Sequence, residues 1–191
     1  MKKMLLILTL TTIINFSATA QNYEEQPSPG FWKNQVFPWY YNDQNVPTWL
    51  EKNKSLEFFI NAAERWKICG IDLKFMGKTN SIPGKMDRIN VVGWSDKIPQ
   101  KIRGITVGKS EEDHLIERDI LIQSSRLEFQ ASQRLLEKVI THEFGHAIGL
   151  THSKRCDDVM TLAADCPKID PELLPINPTD NDLFRCRKLY N

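Results

Sequence analysis

Five residues in one short stretch have the types and the spacing to do chemistry together: His142, Glu143, His146, Gly149 and His152. On a helix, His142 and His146 lie four apart on one face, so their ring nitrogens can meet at a point about 2.0–2.1 Å from a zinc ion. Glu143 stands beside the first ligand, where its carboxylate can take a proton from an attacking water without binding the metal. Were the helix to continue, His152 would lie roughly 15 Å beyond His142 and well round the axis. Gly149 removes that difficulty, because a residue without a side chain can adopt the left-handed conformation that ends a helix and returns the chain beneath the metal. The implied chemistry is hydrolysis at one zinc ion, held by three neutral imidazoles with a fourth position open and with Glu143 as general base.

Elements that could position these residues follow from periodicity. Leu135, Leu136, Val139, Ile140, Phe144, Ala147 and Ile148 form an apolar stripe that predicts a helix running into the histidines. A second stripe, Leu56, Phe59, Ile60, Ala63 and Trp66, predicts an earlier helix over 56–68, closed by Cys69-Gly70. Strands are expected at "FPWYYND", "IDLKFMG", "RINVVGW", "GITVGK" and "RDILIQ", where β-branched and aromatic residues cluster between Gly, Pro and Asp punctuation. Thr179 or Asp180 can cap a short final helix. There are no internal repeats, and the economical reading is one α+β domain.

The start of the chain has a different character. Lys2 and Lys3, the apolar run from Met4 to Phe16, and Ala18-Thr19-Ala20 have the anatomy of a secretory signal peptide, so cleavage near Ala20 and a secreted or periplasmic product are expected. Residues 21–35, with Pro27 and Pro29, read as an extended N-terminal segment too short for a folded pro-domain, and 36–191 as the catalytic domain. Removing Lys2 and Lys3 with the leader lowers the net charge from +1 to −1, which argues against nucleic acid or an anionic membrane as partner. A monomer is expected. Four cysteines, Cys69, Cys156, Cys166 and Cys186, follow the leader without any Cys-x-x-Cys pair, and an even count in an exported chain reads as two disulfides of open connectivity.

His142, Glu143, His146, Gly149, His152 and the later Met160 resemble the metzincin signature, whose methionine lies in a tight turn beneath the metal. Ser153, the spacing to Met160 and the closing "DLFRCRKLYN", with Asp182, resemble the matrixin branch in particular, and the likeness runs from about Phe37 to Asn191. The resemblance implies a zincin-like single domain: a twisted, mostly parallel five-stranded sheet with an antiparallel edge strand, two long helices and a short C-terminal helix. It also implies a zinc endopeptidase whose protein or peptide substrate adds along the edge strand "GITVGK". Within this likeness, Cys156–Cys166 would close a loop around Met160 and Cys69 would pair with Cys186, the first helix being placed on the far side of the sheet from the cleft.

Departures from the family pattern are visible too. The one remaining histidine, His114, reads as a solvated loop residue and not as a ligand of a structural zinc, and calcium is left open. Residues 21–35 contain no cysteine to latch the metal, and "TLAADC" after Met160 lacks the proline and tyrosine that usually line the main specificity pocket. Two rival readings keep the same residues: a zinc amide hydrolase acting on a cell-wall peptide, and a non-catalytic zinc-containing binding module.

Overall fold

The computed structural model describes residues 30–191. The expected leader, residues 1–20, and residues 21–29 of the expected extended segment lie outside the described residues. Strand β1 (Val36–Asn42) turns Phe37, Trp39 and Tyr41 to one face, as alternation demands of a half-buried strand. With β2 (Asp72–Lys78), β3 (Val91–Ser95), β4 (Gly104–Glu111) and β5 (His114–Gln123) it forms a five-stranded sheet of order β2-β1-β3-β5-β4. All pairings are parallel except β4 with β5, so β4 is an antiparallel edge. The zincin-like α+β architecture is therefore as expected, and no helix among the described residues is long and apolar enough to cross a membrane.

Helix α1 (Lys52–Trp66) begins four residues before its apolar stripe and passes through a short 3₁₀ turn to Gly70, whose φ of 86° makes the left-handed exit read from the sequence. The short α2 (Leu127–Ala131), not anticipated, leads into α3 (Gln133–Ala147), where the Ser132 hydroxyl accepts from Leu135 N at 3.2 Å. The final helix α4 (Asp180–Tyr190) starts with a capping box between Thr179 and Asp182.

The expected placement of α1 on the far side of the sheet is incorrect. Phe37 and Trp39 meet Phe144 of α3, while Tyr41, on the same face of β1, meets Phe59 of α1. Both helices thus share that face, and Trp66 Nε1 on α1 donates to Thr141 O on α3 at 2.8 Å. Buried Ser55 of α1 accepts from Tyr41 OH at 2.6 Å and from Trp94 Nε1 at 2.7 Å, which satisfies both aromatic donors inside the core. The disulfides nevertheless join Cys69 to Cys186 and Cys156 to Cys166. What separates the two pairs is the direction of α1, whose C-terminal end runs toward α4 and delivers Cys69 there.

His114 is not in a loop. It is the first residue of β5, because the β4–β5 hairpin closes over Glu112 and Asp113, and its half-buried ring packs edge-on against Phe31 at 4.8 Å. Residues 30–35 are joined to the domain as well: Trp32 Nε1 donates to Ala147 O at 2.9 Å and Gln35 Nε2 to Tyr190 O at 2.9 Å.

The segment before β3 is fastened to β5 by one carboxylate. Asp119 accepts from Val91 N at 2.7 Å and Gly84 N at 2.5 Å. Burial, opposed by these two bonds and reinforced by Glu117 and Asp87, pushes its carboxyl up to about 7. A carboxyl with a raised native pKa stabilises the fold below its unfolded value and loses that contribution as pH rises through the native one. The stability advantage of the wild type over Asp119→Asn should therefore shrink between the unfolded pKa of 3.8 and about 7, by as much as ~4 kcal/mol. Urea unfolding of both proteins across that range isolates the effect, since the buried histidines contribute equally to each; a constant difference would show that Asp119 titrates normally.

Candidate metal centre

The last two turns of α3 carry His142 and His146, and Gly149 then takes φ 98°. Gly149 N donates to His146 O and Leu150 N to Gly145 O, each at 2.9 Å, so the helix ends within one residue and the chain turns back. Glycine is required here twice over, because any side chain would be strained at that φ and would also overlap the Gly30 carbonyl. The reversal brings His152 to the other two rings, as the sequence spacing demanded.

The three imidazoles converge through Nε2. His146 Nε2 lies 3.0 Å from His142 Nε2 and 3.2 Å from His152 Nε2. Backbone carbonyls fix two of the tautomers: Val159 O faces His142 Nδ1 at 2.8 Å and Leu150 O faces His146 Nδ1 at 2.7 Å. A carbonyl can only accept, so each Nδ1 carries the proton and each Nε2 presents a bare lone pair. Burial pushes His142 down to about 3 and holds His146 well below the ordinary imidazole range, so both stay neutral. Neutral lone pairs crowded at one point repel one another unless a cation lies between them, and this donor set fits zinc.

Glu143 is 5% exposed. Thr106, from edge strand β4, donates its hydroxyl to Glu143 Oε2 at 2.8 Å and approaches Glu143 O at 2.9 Å. Burial pushes the carboxyl up to about 8, against the lowering effect of Thr106. The strand comes this close because Gly104 has no side chain; a Cβ there would lie 2.9 Å from Val139 Cγ1 and 3.0 Å from Glu143 Cγ.

Met160 lies directly beneath the helix at Gly145, where a Cβ would overlap its Sδ. The turn that carries it is held by two buried acids. Asp182 accepts from Val159 N at 2.8 Å, and Asp158 accepts from the hydroxyls of Ser153 and Thr179 and from Asn181 Nδ2. Ser153 N also donates to Met160 O at 2.8 Å, and the Cys156–Cys166 disulfide closes the same turn.

His142, Glu143, His146, His152 and Met160 are thus brought together, with Asp182 supporting the turn. Cys69 and Cys186 lie elsewhere, at the junction of α1 and α4. Thr106, Gly145 and Asp158 were missed by sequence reasoning. Asp158 offered a signal, an acid enclosed between a cysteine and the turn methionine, whereas Thr106 is brought to Glu143 only by the sheet. A cavity of about 320 Å³ opens beside the histidines between β4, α3 and the segment after Met160, lined by Arg103, Ile105, Lys138, Val139 and Leu162 among others.

The matrixin family model, peptidase M10, matches residues 32–191. Among solved structures, a chain of the GM1-bound form of the ECX AB5 holotoxin aligns with TM-score 0.58 and 14% identity over 87% of each chain. Archaemetzincin (amzA) from Methanopyrus kandleri aligns with TM-score 0.54 and 13% identity, covering 82% of this chain and 97% of that one. At these identities both show likeness of fold. A search of curated proteins finds no match.

The contact between Gly145 and Met160 gives a direct test. Gly145→Ala should force the turn away from α3, lowering stability by about 1–3 kcal/mol and weakening zinc binding, as read by thermal melts and competition with a chelating dye. Unchanged metal affinity would show that the turn does not position the ligands.

Proposed function

Because the chain belongs to the matrixin family of zinc metallopeptidases, we propose that it is an exported zinc endopeptidase that cleaves proteins or peptides laid along β4. The observation that carries this reading is the meeting of three histidine Nε2 atoms beside a buried carboxyl group anchored from the edge strand. His142, His146 and His152 hold the metal. When bound, zinc supplies Lewis-acid chemistry, making water acidic enough to attack at neutral pH and polarising the carbonyl.

Glu143 takes the proton released by the attacking water and returns it to the leaving amine, a role for which its place beside the first ligand suits it, since a bound cation would favour its charged form. Thr106 orients that carboxylate and ties its position to the strand on which substrate docks. The outer edge of β4 offers backbone groups to an extended peptide, which would add as a further strand. His142 and His146 keep their Nδ1 protons on Val159 O and Leu150 O, which holds the orientation of these two rings. The signal-peptide pattern of residues 1–20 supports export, and the enzyme is proposed to act as a monomer.

The test is metal content and peptide cleavage measured together. Purified protein should carry one zinc per chain and cut a peptide library, and Glu143→Ala should keep the zinc while losing at least about 100-fold in rate. Equal cleavage by the alanine variant would overturn the role of Glu143. Zinc-loaded protein that cuts no peptide would overturn the endopeptidase reading.

A further inference from the structure

The cavity beside the histidines holds charges that metal chemistry does not use. Lys138 lies one helical turn before His142, about 6 Å along the axis. It is 6% exposed, in a wall otherwise made by Leu135, Val139 and Leu162. An ammonium at that depth is costly without a counter-charge. The neighbouring acids are engaged elsewhere: Glu137 pairs with Arg65 at 2.7 Å, and Glu143 takes the Thr106 hydroxyl. Glu128 pairs with Arg103 at 2.5 Å and lies 3.7 Å from Arg126. Among the described residues none of these carboxylates reaches Lys138, while Lys101 lines the same cavity and adds to its positive charge, and Arg103 lines it with its charge offset by Glu128.

We propose that this wall is a selecting subsite for an acidic side chain, so that the enzyme favours peptides with aspartate or glutamate next to the scissile bond. The proposal rests on the endopeptidase reading above. An incoming carboxylate supplies the counter-charge that Lys138 lacks, in a pocket whose apolar walls strengthen the pair by excluding water. A neutral side chain of the same shape would displace water from the ammonium without pairing it, an arrangement that discriminates against neutral side chains. Burial and Arg103 push Lys138 down to about 8, so it still carries its charge at neutral pH.

Two measurements separate this proposal from the one it rests on. Zinc-loaded protein digests a proteome-derived peptide library, with cut sites read by mass spectrometry. Asp and Glu should be enriched about tenfold at one position flanking the cut; Lys138→Met should abolish the enrichment, and Lys138→Glu should turn it toward Lys and Arg. Circular dichroism and zinc content confirm that each variant is folded. No acid preference at either flanking position, or one that survives in Lys138→Met, overturns the proposal while leaving the endopeptidase reading intact. Independently of catalysis, calorimetry compares C-terminally amidated peptides differing only in Glu or Gln, bound to metal-free protein. About tenfold tighter binding of the Glu peptide, lost in Lys138→Met, supports the subsite even if no cleavage is found; equal binding overturns it. If only the unblocked peptides bind, the carboxylate recognised is a chain terminus and the side-chain proposal fails.

Discussion

His146 Nε2 held 3.0 Å from His142 Nε2 and 3.2 Å from His152 Nε2, with the protons of His142 and His146 fixed on the opposite sides of their rings, is an arrangement that neutral lone pairs resist. The surrounding structure is arranged to impose it. The helix must stop within one residue of His146, which requires Gly149 in the left-handed region with no side chain against Gly30. The returning chain must bring Val159 O and Leu150 O to two Nδ1 atoms, because without those acceptors the tautomers would be free. The ligands are therefore as much a property of the backbone after the helix as of the helix itself.

That backbone is held down from α4. Asp182 serves two purposes with one carboxylate, capping its own helix through Thr179 and receiving the amide of Val159. Asp158 gathers Ser153, Thr179 and Asn181, so the residue after the third ligand, the turn and the start of α4 share one buried anion. A buried carboxylate with a full set of donors is rigid, since each bond lost leaves a charge poorly solvated. The Cys156–Cys166 disulfide restrains the same turn covalently, adding a constraint that does not depend on ionisation.

Much of this could be read from the sequence, for identifiable reasons. The histidine cluster was legible because ligand geometry restricts both residue type and spacing, and the glycine that permits His152 to return left its own mark. The strands and long helices were legible from alternation and helical stripes, and the family likeness is now matched over residues 32–191. The face on which α1 packs was not legible, because a stripe says that a helix is buried without saying against what. Thr106 was hidden for a related reason: a threonine in a strand is unremarkable until the sheet places it on Glu143. Lys138 stands among the apolar residues of α3 four positions before His142, a charge whose place in the sequence says nothing of the cavity it lines.

Strand β4 faces two ways. Its outer edge has no strand beside it among the described residues, while Thr106, opposite Ile120 of β5, reaches inward to the carboxylate. Pairing in a sheet alternates sides at every residue, so a slip of β4 by one position would turn Thr106 away from α3 and offer Ile105 or Val107 in its place. Gly104, where the strand crosses α3, tolerates no such shift either. Insertions and deletions are thus expected to accumulate at the Glu112–Asp113 turn and to be excluded between Gly104 and Thr106, which gives this strand a fixed reading frame in space as strict as the spacing of the histidines in sequence.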